Sequence, residues 1–236
     1  MKGVLYLIPN RLSDEEVNQF MPVYNSSILH KLKYFIVENL KPARALLKSA
    51  GVSTPFQGIN FFELNKRTTD TEISEMITVL LDGHSVGLIT DAGYPAVADP
   101  GEEIVFKAHQ NEVQVVPLTG PSSILFAVAS SGLNAEKFTF HAYLPVHNNE
   151  LVKSLKKLER NILTENYTHV FIETPYRSQK LFEDILKHVN PNLYLTVCAD
   201  LNSEKQYIST QQIAIWKKMK TDLNKKLVVF VIGLPS

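Results

Sequence analysis

Val86-Gly87-Leu88-Ile89-Thr90 runs straight into Asp91-Ala92-Gly93-Tyr94-Pro95-Ala96-Val97-Ala98-Asp99-Pro100-Gly101, and this stretch decides the fold. A short apolar run bounded by turn residues reads as a buried strand. Buried strands of this kind belong to parallel sheets covered by helices. The flanks agree. Thr69-Asp70-Thr71-Glu72 opens a helix with its acids at the positive end of the dipole. Ile73, Met76, Ile77, Leu80 and Leu81 then recur at helical spacing until Asp82-Gly83 ends it. Beyond the loop, Glu102–Gln110 reads as a helix and Val113–Pro117 as the next strand.

Working outward, Val4–Ile8 and Tyr34–Val37 read as strands, Ser26–Leu32 as a helix, and Gly58–Leu64 as a further strand. Pro42–Ser49 reads as a helix with Pro42 in its first turn and Gly51 past its end. Leu118-Thr119-Gly120-Pro121 breaks the alternation and marks a domain boundary. An apolar helix follows over Ser122–Ser131, stopped by Gly132. Strands are then expected at Phe138–Ala142, His169–Glu173, Leu193–Ala199, Tyr207–Ser209 and Leu227–Gly233, with helices at Leu151–Leu163 and Ser178–His188. Strands alternating with helices indicate an α/β protein with mostly parallel sheets. At 236 residues, two domains are the expected solution. They are assigned to residues 1–118 and residues 119–236.

The bulk composition bounds function. Lys plus Arg and Asp plus Glu number 24 each, a balance that counts against a general nucleic-acid binder. The balance does not exclude a local basic patch, for which Lys153–Arg160 and Lys217–Lys226 are the candidates; the favoured reading of both is a solvated helix face. Cys198 is the single cysteine, so no disulfide forms within the chain and a reducing compartment is expected. No apolar run approaches the roughly 20 residues of a membrane span. The start, Met1–Pro9, has too short an apolar run for a signal peptide and reads as an opening strand. A cytoplasmic protein without membrane contact is the expectation.

In open α/β sheets ligands bind outside the carboxyl ends of strands, and three such ends carry unusual residues. The first is the loop Asp91–Gly101. Its glycines let backbone approach a ligand and its prolines fix the shape. The second is Gly120-Pro121-Ser122-Ser123, where serines at a helix N-terminus suit an anion or serve as caps. The third is Glu173-Thr174-Pro175-Tyr176-Arg177, in which Arg177 binds an anion or pairs with Glu173. There is no Gly-x-Gly-x-x-Gly after the first strand and no P-loop, against dinucleotide and NTP enzymes. No Gly-x-Ser-x-Gly elbow is present. No Cys/His cluster has zinc spacing, and no metal is expected. His84, His109 and His188 read as surface; His141 and His147, near a strand end, are less easily dismissed.

Taken in order, Asp91-Ala92-Gly93-x-Pro95…Asp99-Pro100-Gly101, Pro117-x-x-Gly120-Pro121-Ser122, Ser131-Gly132-Leu133 and Glu173-x-Pro175-x-Arg177 resemble the tetrapyrrole (corrin/porphyrin) methylase superfamily. Within it they are most similar to the branch that methylates a ribose 2′-hydroxyl of small-subunit ribosomal RNA. The resemblance covers nearly the whole chain. It implies two α/β domains with the ligand cleft between them, a homodimer, and S-adenosylmethionine as methyl donor. It implies a donor pocket lined by Pro9, Asp91, Ala92, Gly93, Tyr94, Val97, Ala98, Ser122, Ser123, Thr174, Ala199, Asp200 and Leu201. Glu38, Arg44 and Arg177 are the acceptor-side candidates it retains. No general base is named by the sequence.

Departures concentrate on the acceptor side. The family's Thr-Pro-Ile-Gly-Asn-Leu becomes the shorter Ile8-Pro9-Asn10-Arg11-Leu12, and Ala-Glu-Asp-Thr-Arg becomes Val37-Glu38-Asn39-Leu40-Lys41. Leu-Pro-Arg-Lys becomes Leu144-Pro145-Val146-His147, and Cys-Arg-Glu-Leu-Thr-Lys becomes Cys198-Ala199-Asp200-Leu201-Asn202-Ser203. Several basic groups that would hold RNA phosphates are thereby replaced. Methylation of a small molecule such as a tetrapyrrole, or a donor-binding paralogue without transfer, are the competing readings.

Overall fold

The computed structural model describes residues 1–52 and 56–235. The chain divides into two compact units, Met1–Ser122 and Ser123–Ser236.

The first unit is a five-stranded sheet in the order β3-β2-β4-β1-β5, with β1 Val4–Ile8, β2 Tyr34–Val37, β3 Asn60–Glu63, β4 Val86–Ile89 and β5 Gln114–Pro117. Every pairing is parallel. The alternation of side chains along a strand assigns residues to opposite faces. Phe35, Val37, Ile8 and Ile89 pack with Ile28 and Leu29 of α2 (Val23–Leu29) and Ala43, Leu46 and Leu47 of α3 (Leu40–Ser49). Leu5, Ile36, Val86 and Leu88 pack with Ile73, Met76, Ile77 and Leu80 of α4 (Asp70–Leu81) and Ile104 and Ala108 of α5 (Glu102–Gln110). Both faces are therefore covered, which is why Val86–Ile89 carries no outward polar residue. α4 starts on a capping box: Thr69 Oγ1 accepts from the Glu72 amide at 3.3 Å and the Glu72 carboxylate accepts from the Thr69 amide at 2.7 Å. The helix expected at Ser26–Leu32 lies at Val23–Leu29, and a short α1 at Val17–Phe20 was not expected.

The second unit corrects the expectation of mostly parallel pairing. Its sheet runs β6-β7-β10-β8-β9, with β6 Phe138–Phe140, β7 Thr168–Glu173, β8 Tyr194–Ala199, β9 Tyr207–Gln212 and β10 Val228–Gly233. β6 and β7 are parallel; β7–β10, β10–β8 and β8–β9 are antiparallel. The connection from β8 to β9 is too short for the crossover that a parallel pair demands. β10 is buried at all six positions and takes the centre, whereas β9, Tyr-Ile-Ser-Thr-Gln-Gln, is half-exposed throughout and takes the edge. Around Phe171, Leu195, Val197 and Phe230 pack Leu151, Leu155, Leu158 and Ile162 of α7 (Asn148–Glu165) and Leu181, Phe182 and Ile185 of α8 (Ser178–His188). α6 (Ser123–Ser131) buries Ile124, Ala127 and Val128. A four-residue α9, Ile213–Trp216, seats Trp216, whose indole N–H donates to the Leu195 carbonyl at 2.8 Å. Lys217–Lys226, expected as a helix face, follows α9 as turns; buried Leu223, whose backbone N–H donates to Gln179 Oε1 at 2.8 Å, holds it off helical geometry.

Candidate functional site

Parallel pairing brings Ile8, Val37 and Ile89 into one row across β1, β2 and β4. The residues just beyond them, Pro9, Glu38 and Thr90, therefore leave the sheet at one edge. Asn10 ties this edge to the loop. Its amide donates to the Gly93 carbonyl at 2.9 Å and its carbonyl accepts from the Gly93 amide at 3.0 Å. Its Nδ2 donates to the carbonyls of Thr90 and Asp91 at 3.1 Å each, and its Oδ1 accepts from the Arg11 amide at 2.9 Å. Tyr94 is pinned by its hydroxyl to the Leu118 carbonyl at 3.0 Å.

The loop backbone is tightly specified. Gly93 sits at φ 77° and Gly101 at φ 139°; a Cβ on Gly101 would lie 2.8 Å from Leu88 Cδ2. Ala96 and Ala98, which are not glycines, also take left-handed φ of 62° and 64°. Such conformations persist only where surroundings impose them, and they cluster at ligand sites. Pro95 is buried, while Ala92, Val97 and Ala98 face outward.

Three carboxylates gather at this edge. The buried Thr90 hydroxyl donates to Asp99 Oδ2 at 2.7 Å, and Glu38 Oε2 lies 3.4 Å from the same hydroxyl. Asn39 Nδ2 donates to Asp91 Oδ2 at 2.6 Å. Burial, then the charges of Asp91 and Asp99, hold the Glu38 carboxyl above the ordinary range. Burial likewise raises Asp99, against the pull of the Thr90 hydrogen bond. The edge is thus electron-rich and suits a cation. Of the expected residues, Pro9, Asp91, Ala92, Gly93, Tyr94, Val97, Ala98 and Glu38 share this region. Arg44 lies on α3 with its guanidinium 5.5 Å from the Phe61 ring. Asn10, Asn39 and the Thr90–Asp99 bond had not been singled out. An asparagine directly after a strand-ending proline was the only hint.

In the second unit, Glu173 and Ala199 both align with Val228 of β10. β7 and β8 thus end at the same edge, about 10 Å apart given strand spacing, and Thr174 and Asp200 leave it together. Glu173, whose side chain is 0% exposed, accepts from the Thr174 amide at 2.7 Å and pairs with Arg177 at 2.9 Å. Arg177 thus makes the ion pair that was one of its two sequence readings, with its side chain still 31% exposed. Thr174 is exposed; Ala199 is fully buried in the core, and Leu201 nearly so. Asp200 takes φ 49°, and its amide donates to the Leu227 carbonyl at 3.0 Å. α6 begins at Ser123 rather than Ser122. His141 Nε2 meets His169 Nδ1 at 2.9 Å, and burial lowers the His169 imidazole to about 4. Among the described residues no group of three or more His, Cys, Asp or Glu is placed to hold a metal ion, and no helix is long and apolar enough to cross a membrane.

The family model for Tetrapyrrole (Corrin/Porphyrin) Methylases matches residues 28–214. The chain is similar to ribosomal RNA small subunit methyltransferase I of Thermotoga maritima, 32% identical over 161 residues, which are 67% of this chain and 67% of that protein. It is also similar to the protein of that name from Buchnera aphidicola subsp. Schizaphis graminum, 26% identical over 236 residues, 98% of this chain and 78% of the relative. Two solved structures share the fold: diphthine synthase, with TM-score 0.68, 17% identity and coverage of 98% of this chain and 90% of its own, and the methyltransferase CobJ, with TM-score 0.62, 15% identity and coverage of 98% and 94%.

Proposed function

The chain belongs to the tetrapyrrole (corrin/porphyrin) methylase family and is a methyltransferase, and from that premise we propose that its donor is S-adenosylmethionine and its acceptor a ribose 2′-hydroxyl of small-subunit ribosomal RNA. The observation that carries the donor half is the Asp91–Gly101 loop. Its backbone is locked by Asn10, Gly93 and two left-handed alanines, and it turns Ala92, Val97 and Ala98 outward beside Glu38, Asp91 and Asp99. Exposed small apolar side chains suit a nucleoside face, and the carboxylates suit a positive sulfur. The donor supplies a methyl group already activated as a sulfonium substituent. The protein's part is to align the acceptor oxygen, because methyl transfer depends mainly on proximity. Glu38, with its raised carboxyl, is the group at this edge suited to accept the hydroxyl proton.

The family assigns further donor contacts to Ser122, Ser123, Thr174, Ala199, Asp200 and Leu201, and acceptor contacts to Arg44 and Arg177; these are part of the proposal. So are a homodimer and a cytoplasmic location. The acceptor half is supported by the names of the relatives. Titration calorimetry with S-adenosylhomocysteine tests the donor. Gly93→Trp is expected to weaken binding more than 100-fold while circular dichroism stays native. Unchanged binding by that variant would reduce the loop to a structural turn. Transfer of tritiated methyl to small ribosomal subunits from a strain lacking the gene tests the acceptor. Label in nucleosides supports it, and donor binding without any label refutes it.

A further inference from the structure

The zero net charge conceals an uneven distribution. Met1–Ser122 carries 10 basic and 14 acidic side chains, and Ser123–Ser236 carries 14 basic and 10 acidic. The whole surplus of the second unit lies in Lys217–Lys226. That segment holds five lysines, Lys217, Lys218, Lys220, Lys225 and Lys226, against one acid, Asp222; the rest of the unit has nine of each sign. Elsewhere Lys107 pairs with Glu103 at 3.3 Å, Lys156 with Glu159 at 3.0 Å and Lys180 with Asp184 at 3.0 Å, while many other surface lysines among the described residues carry no such pair. Among the described residues none of the five lysines has a carboxylate within 4.0 Å. Asp222 accepts from the amide and side chain of Asn224, at 3.0 and 2.7 Å, and these bonds, with the weaker pull of the Lys226 charge, hold its carboxyl below the ordinary range.

The segment is nonetheless fixed in place. Trp216 just before it and Leu223 within it are both fully buried. The Lys225 amide donates to the Pro175 carbonyl at 3.0 Å, and the Ser178 hydroxyl donates to the Lys226 carbonyl at 3.1 Å. These bonds set Lys225 and Lys226 beside Pro175-Tyr176-Arg177. Tyr176 is 89% exposed, so an aromatic ring stands in solvent on a turn that is bonded to the backbone of Lys225 and Lys226. Holding like charges together on a rigid backbone is unfavourable unless an anion meets them. An aromatic platform beside a basic track is the pattern that holds single-stranded nucleic acid. A membrane surface would call for lysines along the polar face of an amphipathic helix, and here they lie on turns after a four-residue helix.

We propose that Lys217–Lys226 and Tyr176 form a binding surface for the acceptor RNA, the lysines on phosphates and Tyr176 stacked on an unpaired base. This rests on the ribosomal RNA reading above. The test uses the full chain, small-subunit ribosomal RNA and two variants, Lys217→Gln/Lys218→Gln/Lys220→Gln and Tyr176→Ala, all at exposed positions. The triple variant is expected to flatten the slope of log binding constant against log salt by about 2 to 3, since each lost phosphate contact contributes about 0.7 to 0.9. Its KM for RNA should rise with kcat nearly unchanged. Tyr176→Ala is expected to weaken binding about tenfold with the salt slope unchanged. Both variants should bind S-adenosylhomocysteine as the native chain does. Native salt slope, affinity and KM in both variants would overturn the surface while leaving the acceptor reading standing. Tighter binding to phosphatidylserine vesicles than to RNA, lost in the triple variant, would also overturn it. A native chain that transfers no methyl to RNA overturns the acceptor reading and this inference together.

Discussion

The two sheets present their carboxyl edges differently. In the first, all strands point one way, so the ends of β1, β2 and β4 meet, and Pro9, Glu38 and Thr90 emerge side by side. In the second, β10 runs backwards between β7 and β8, so Thr174 and Asp200 share an edge with a strand between them. A parallel sheet concentrates loops; a mixed sheet separates them. The fixings differ accordingly. The first edge is laced by neutral hydrogen bonds from Asn10, while the second rests on the pairing of buried Glu173 with the partly exposed Arg177.

That contrast can be broken experimentally. Arg177→Ala should have the largest effect, about 3 kcal/mol of lost stability in urea unfolding, because the fully buried Glu173 side chain loses its partner. A loss under 1 kcal/mol would mean the second edge does not depend on the pair. Asn10→Ala should be milder, about 2 kcal/mol, as two carbonyls and one amide lose their partner. Its signature is donor affinity falling more than overall stability; equal loss in both would show that Asn10 serves the fold alone.

Acid should act with opposite sign on the two units. Glu38 and Asp99 have folded values above their ordinary 4.5 and 3.8. Their ionisation opposes folding, a cost that grows as pH rises through this range and is relieved on acidification. Glu38→Gln is therefore expected to raise Tm at pH 7, with the gain vanishing below pH 4.5. His169 runs the other way. Its folded value near 4 lies below the ordinary 6.5, so its contribution is whole above pH 6.5 and is lost as pH falls towards 4. His169→Gln should flatten that acid limb of the Tm profile. A steeper limb in the variant would place the acid sensitivity elsewhere.

The site loop and most elements were legible because they depend on local pattern. Val86–Ile89 is apolar throughout, α4 has helical spacing and a capping box, and Glu102–Gln110 and Ser178–His188 fall where the residues place them. What was hidden depends on partners far along the chain. Asn10 meets residues 80 positions away. His141 and His169 are 28 apart and meet only because β6 and β7 pair. The lysines after Trp216 have helical propensity, yet Leu223 and Gln179 override it. The direction of β10 is invisible locally, since a buried apolar strand reads the same both ways.

Ala96 and Ala98 carry a thermodynamic consequence. Each left-handed alanine costs about 1 kcal/mol relative to a right-handed one. That energy is committed when the chain folds, so an arriving ligand meets a loop whose disorder has already been removed. Replacing Ala96 by glycine would relieve the strain and return freedom to the loop. Tm should change little, while the entropy of ligand binding becomes less favourable. The loop is in this sense a preloaded spring, tensioned during folding rather than by its ligand.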